Sequence, residues 1–450
     1  MVKKIVLAIG LQALFISAHS AAAGAQQSLL DVYHQAVAHD PTLASATSAN
    51  KAAQEAIEQA KALYRPNVNF NAGASASRTN VKFIGTSVFR ADGSSSFEGY
   101  NYGVEARQPI YRKDSLVQLD QSKVQVSLAD KQLHLTQQEL MLRTTQAYFE
   151  TLNAQDRIAL IQAQKTAILS QLDQAKATFE VGTATITDVN EAQARYDLIL
   201  AQEIGAQNDF DIAKRALQAL TGQMPEKLAT VRADIKVTPM GQAMQDWQNV
   251  AVSSNLNIQI QQDALKIAEH DIERAQAGHM PTLDAVASYT NNYSNGSANG
   301  FGSDLKNSTI GLQLQIPLYQ GGAVMSRERQ AVYSKQKAQD DVEVAKRQTD
   351  LETQRAYLNL SSSIAQVKAL EQALISSQSQ LDSTKLGYEV GVRTSVDVLN
   401  AQQQLFSAKR DLLQARYNYL VNIIRLKSAT GIVNEADLAD INQQLVLAAQ

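Results

Sequence analysis

The side chains with the most chemistry to offer stand in two matched stretches. Residues 179–193 read FEVGTATITDVNEAQ and residues 388–402 read YEVGVRTSVDVLNAQ, identical at eight of fifteen positions and offset by 209. Both place Thr-x-x-Asp just after a glycine: Thr185 with Asp188, and Thr394 with Asp397. At that spacing the hydroxyl accepts from the backbone N–H three residues on and the carboxylate reaches back to the N-cap, closing a helix start that the helix dipole also favours. The preceding residues, Val181-Gly182-Thr183 and Val390-Gly391-Val392, predict exposed turns between two helices. The copies differ in their polar equipment. Only the second carries a phenol, Tyr388, and a guanidinium, Arg393, where the first has Phe179 and Ala184. Asn400 replaces Glu191, and it shares a helix face with Asp397 three residues earlier.

No other constellation suggests chemistry of a catalytic kind. Cysteine is absent, which removes disulfides, thiolate metal sites and thiol nucleophiles. The six histidines lack metal-ligand spacing, and Ser334-x-x-Lys337 lies in a charged helical stretch as a wet face. The expectation is no enzyme, no metal and no cofactor. With 41 basic against 44 acidic residues and a net charge of −3, nucleic acid is not an expected partner either.

The elements that must hold these residues can be read from breakers and periods. Lys3 and Lys4 precede an apolar run from Ile5 to about Ile16 and a small-residue site at Ala23-Gly24-Ala25, so residues 1–25 read as a secretory signal peptide. Its removal takes two positive charges and leaves a mature net charge of −5. No later stretch holds 18 apolar residues, so entry into a membrane requires β-strands. Proline is absent from 110 to 224 and after 317, and 113–180 also lacks glycine. Ile161, Ile168, Leu172, Ala175 and Phe179 follow heptad spacing. A helix over 113–180 would run about 100 Å. Gly182 and Gly391 then break two such helices at equivalent points.

The period changes to two between paired prolines. Val68, Phe70, Ala72 and Ala74 alternate with Asn67, Asn69, Asn71 and Gly73, and Tyr100, Tyr102, Val104 and Ala106 alternate with polar neighbours. Leu283, Ala285, Ala287 and Tyr289 form a third apolar row, and Ile310, Leu312, Leu314 and Ile316 a fourth. These predict two hairpins, 67–108 and 282–316, of strands about ten residues long with one lipid-compatible and one wet face. Their loops fall at about 78–97 and 294–306. Tyr64, Tyr111 and Tyr319 mark one end, and Tyr100, Tyr289 and Tyr293 the other, as interfacial girdles would. The same order of elements occurs twice, which predicts an internal tandem repeat with halves 26–235 and 236–435. Four strands cannot close in lipid, so an oligomer is required. Two soluble hairpins in a periplasmic coiled-coil scaffold or adaptor without a pore form the rival reading.

The stretches FEVGTATITDVNEAQARYD and YEVGVRTSVDVLNAQQQLFSAKRDLLQARYNYLVNIIRLKSATG, with NEADL after them, closely resemble the outer membrane efflux protein family over about 27–440. The resemblance implies an α+β membrane protein: a homotrimer whose four strands per chain close one 12-stranded β-barrel in outer-membrane lipid, continued by a long α-helical coiled-coil barrel into the periplasm. It implies an equatorial belt, here 223–245 and 432–450. It implies an exit duct for multidrug efflux, type I protein secretion or both, opened by a periplasmic adaptor (membrane fusion) protein and an inner-membrane pump or ABC transporter. By the same resemblance Tyr388 and Arg393 are gate links whose acceptors are Thr187 and Asp188, and Asp397 with Asn400 is the pore constriction. The turns at 181–183 and 390–392 are the adaptor-docking tips. The chain departs from the family type at Asn400, where a second aspartate is expected, so cation affinity at the constriction should be weaker.

Overall fold

The structure, a computed structural model, describes residues 26–82, 84, 93–232, 235, 237–297 and 301–446. The expected signal peptide lies outside the described residues, as do parts of both expected strand loops and of the belt segments.

The chain folds as two successive sets of short helices, strand hairpin and long helical hairpin. The first set is α1 (Leu29–His39), α2 (Pro41–Ala62), β1 (Asn67–Val81), β2 (Gly93–Tyr111), α3 (Lys113–Glu180) and α4 (Ile186–Thr221). After β3 (Thr230–Val231) the second set follows: α5 (Met244–Ser254), α6 (Leu256–Ala277), β4 (Thr282–Ser294), β5 (Ser303–Gln315), α7 (Ala323–Glu389) and α8 (Ser395–Ala429). The chain closes with α9 (Glu435–Asn442) and β6 (Leu445–Val446). The punctuation is local: Asp40 caps α2 and Pro41 opens it at a position needing no N–H, and Asn255 caps α6 in the same way. Glycines at positive φ end the long helices and their partners, among them Gly182 (78°), Gly222 (74°), Gly391 (80°) and Gly431 (78°).

The strands form one antiparallel sheet in the order β1-β2-β4-β5, which leaves β1 and β5 as unpaired edges. Register aligns the faces read from the sequence. Val68, Ala106, Ala287 and Ile310 make one transverse row, and Asn69, Glu105, Ser288 and Thr309 the next. Alternation continues on either side, with Phe70, Val104 and Tyr289 in the next apolar row, which ends in Ser308 on β5, and Asn67 and Arg107 in the next polar row, which includes Val286. The strands are 15, 19, 13 and 13 residues long rather than about ten, and residues 78–81 and 93–97 pair although they read as loop. A ladder needs only backbone N–H and C=O groups, and the Ser and Gly side chains there do not oppose it. Pro109 lacks an N–H, and the register shifts by one residue between Pro109 and Tyr111.

The long helices run 68 and 67 residues, with α4 against α3 and α8 against α7. Along their upper lengths α2 and α6 take the places of α4 and α8. Packing is thickest midway, where α1, α9 and the β3–β6 pair close over the long helices. Leu29, Tyr148, Phe149, Leu152, Leu217, Leu420 and Ile424 are almost fully buried there. Toward the glycine turns the core thins to separate clusters: Ile161, Ile168, Ile199 and Ala206, then Leu172, Ala175, Ala192 and Leu399, then Leu381, Val398, Ala401 and Leu405. The heptad seam stops one step short of the sequence reading, since Phe179 is 43% exposed at the end of α3. Among the described residues no helix is long and apolar enough to cross a membrane.

Candidate gate at the helical tips

The two tips share one backbone design. The Thr183 N–H donates to the Thr178 carbonyl at 2.9 Å, and at the matching place the Val392 N–H donates to the Gly387 carbonyl at 2.8 Å. Val181, Val390 and Val392 are 73%, 66% and 75% exposed, so each tip presents apolar residues on a glycine turn. Beyond the turn Thr185 and Thr394 cap α4 and α8 through complete capping boxes. The Thr185 N–H and hydroxyl donate to Asp188 Oδ2 at 3.0 and 2.7 Å. The Thr394 N–H and hydroxyl donate to Asp397 Oδ2, both at 2.9 Å. Each carboxylate thus has one oxygen in its own cap and keeps Oδ1 to accept from elsewhere. The backbone and hydroxyl bonds from Thr394, and then the Arg393 charge, hold the Asp397 carboxyl below the usual range. The residue is charged at neutral pH.

Second-copy donors are mounted differently. Tyr388 is half-buried with its ring against the Leu381, Val398, Ala401 and Leu405 cluster. Arg393 is exposed, and its stem folds over Gly387, where an added Cβ would lie 2.7 Å from Arg393 Cγ. Among the described residues no hydrogen bond within the chain joins Tyr388 or Arg393 to Thr187 or Asp188. The fold therefore leaves two donors on the second hairpin and two acceptors on the first without bringing them together in one copy.

Asn400 meets the first hairpin within the same chain. Arg195 on α4 donates through Nη2 to Asn400 Oδ1 at 2.8 Å and through Nη1 to Gln403 Oε1 at 2.7 Å. The same guanidinium holds Glu191 Oε1 through Nε and Nη2, at 3.0 and 2.9 Å. The Glu191–Arg195 spacing at i, i+4 was visible in the sequence, but its partners lie 205 and 208 residues away and no local signal points to them. Higher on the hairpins, sequence reading also missed a polar tie between α3 and α8. The Tyr417 hydroxyl donates to Asp156 Oδ2 at 2.5 Å, with Asn153 Nδ2 donating to Gln414 Oε1 at 2.7 Å beside it. Burial pushes the Asp156 carboxyl up, partly offset by the phenol, and burial next to Asp156 pushes the Tyr417 phenol up. At the base of the sheet Asp284 receives Arg107 and Arg112, each within 3.0 Å.

Comparison with known proteins places this architecture. The family model described as outer membrane efflux protein matches residues 32–223 and 247–432. The outer membrane protein TolC of Vibrio cholerae is 35% identical over 428 residues, covering 94% of each chain. The alkaline protease secretion protein AprF of Pseudomonas aeruginosa is 32% identical, covering 91% of this chain and 85% of its own. Among solved structures, the outer membrane protein VceC of Vibrio cholerae superposes with a TM-score of 0.72 at 20% identity, covering 90% of this chain and 96% of its own.

Proposed function

The chain belongs to the outer membrane efflux protein family and is an outer-membrane exit duct, not an enzyme; we propose that three copies build it and that the helical tips gate it. One observation carries the reading: a four-stranded sheet with an apolar row running across all four strands and two unpaired edges, set on helices none of which, among the described residues, is long and apolar enough to cross a membrane. Unpaired edge groups in hydrocarbon each cost several kcal/mol. Pairing β5 of one copy with β1 of the next satisfies them, and three copies supply 12 strands, above the minimum of about eight for a closed barrel. The polar rows then face water inside and the helices continue the passage through the periplasm, past a belt built from 223–245 and the residues after 431.

At the far end Tyr388 and Arg393 of one copy link to Thr187 and Asp188 of its neighbour. The free Oδ1 of Asp188 and the Thr187 hydroxyl are acceptors of the kind a phenol and a guanidinium fork require. Each partly exposed link contributes about 0.5–1.5 kcal/mol. Several of them hold a mouth shut, yet an adaptor docking on the valine–glycine tips can release them. Asp397 from three copies narrows the opening. An inner-membrane pump supplies the energy and selects the cargo, drug or secreted protein; a family described by efflux and a relative named for protease secretion favour a duct common to both uses.

Conductance in planar bilayers tests this, with wild type beside Tyr388→Phe/Arg393→Ser. A small wild-type conductance that rises several-fold in the variant is expected. An unchanged conductance removes the two residues from the gate, and a folded protein that forms no pore returns the chain to the scaffold reading.

A further inference from the structure

Near the mouth a single side chain reaches from the first hairpin to the second within one copy. Arg195 stands seven residues past Asp188 on α4, about 10 Å along the helix from the cap. Its planar fork donates to the amide oxygens of both Asn400 and Gln403, which lie almost one turn apart on α8. Glu191, one turn back on α4, grips the same guanidinium and fixes its direction. Only 22% of the Arg195 side chain is exposed. Beneath it the helices meet over a short stretch, where Leu399 enters the cluster of Leu172, Ala175 and Ala192. The acceptors are neutral amides, so the tie is weaker than an ion pair and can be released without stranding a buried charge.

We propose that Arg195 is an intrachain latch of the mouth: it clamps α8 to α4 through Asn400 and Gln403, so the second hairpin cannot swing from the first until this fork lets go. The latch rests on the gating reading above and adds to it a restraint that needs no neighbouring copy. It also gives Asn400 its role, as the acceptor for Arg195 in place of a charge directed at the pore axis.

The test is a mutant cycle read as conductance in planar bilayers, using the full protein. Arg195→Ala is compared with Asn400→Ala/Gln403→Ala and with all three changes together. The amide variant leaves the Arg195–Glu191 pair intact and changes only exposed or partly exposed positions, so it keeps the test open if Arg195→Ala folds poorly. Each variant should raise conductance about fivefold, and the triple variant should add nothing, because all remove one contact. Arg195→Gln, which keeps a single amide donor, should fall between Arg195→Ala and wild type. Asn400→Asp should lower conductance below wild type by turning the amide acceptor into a carboxylate. Tyr388→Phe/Arg393→Ser runs alongside. If it opens the pore while the Arg195 and amide variants stay closed, or if their effects simply add, the latch is wrong and the gate stands. If none of them changes conductance, both fall.

Discussion

Gly387 shows how much one hydrogen atom decides at the residue scale. The first copy has Thr178 at the matching position, with Ala184 across the turn and no stem to accommodate. The second copy has glycine there because the Arg393 stem crosses the helix at that point, 2.7 Å from where a Cβ would stand. Gly387 is buried in the last turns of α7 with helical geometry, so alanine should favour the helix itself by up to about 1 kcal/mol. Gly387→Ala is therefore expected to leave the melting temperature unchanged or raised, while displacing Arg393 and raising bilayer conductance. Stability and gating would move in opposite directions. An unchanged conductance with normal folding would show that the Arg393 path over Gly387 has no part in closure.

At the scale of elements, the hairpins are held together by thin apolar seams with polar ties between them. The tie between α3 and α8 is the Tyr417–Asp156 bond, set beside the thick mid-length core. Tyr417→Phe keeps the ring in place and leaves a partly buried carboxylate without its donor, a loss of about 1–3 kcal/mol. The pH dependence has a definite sign. Burial raises the Asp156 pKa in the folded state, so folding takes up a proton there. Stability from this group is full below the unfolded value, near 3.9, and is lost as pH rises through the folded value. Without the phenol the charged form is worse off still, so the penalty of Tyr417→Phe should be large at neutral pH and shrink toward acid. Denaturant unfolding of both proteins, followed from neutral pH down toward the unfolded value, reads this directly, and a penalty that stays constant throughout would remove Asp156 from the explanation.

For the whole molecule, the question is which face of the sheet meets lipid. Ile310 is 90% exposed on an apolar row, and Thr309 beside it belongs to a polar row. A charge on the lipid face near mid-depth costs about 2–4 kcal/mol, while a charge facing water inside is tolerated. Ile310→Arg should therefore reduce assembly in the outer membrane, and Thr309→Arg should assemble normally, as measured by recovery of folded oligomer from membrane fractions. Equal recovery of both would contradict the assignment of faces. Unpaired β1 and β5 edges carry the same logic to assembly, since a monomer in lipid leaves both ladders open.

The sequence by itself determined whatever depends on spacing along one chain. Proline-free, glycine-free runs set the long helices, Gly182 and Gly391 set the tips, and Thr-x-x-Asp set the caps. Alternation of Val68, Phe70 and their neighbours set the two faces of the strands, because side-chain period follows from backbone geometry alone. Strand ends were less legible, since a ladder extends through any residues whose backbone groups can pair. Contacts that only packing brings about, between the halves or across a tip, were not legible at all. Arg195 with Asn400, Tyr417 with Asp156, and the Arg393 stem over Gly387 depend on where distant helix faces meet and on side-chain paths across a turn. Periodicity says which residues share a face; only packing in three dimensions says which faces touch.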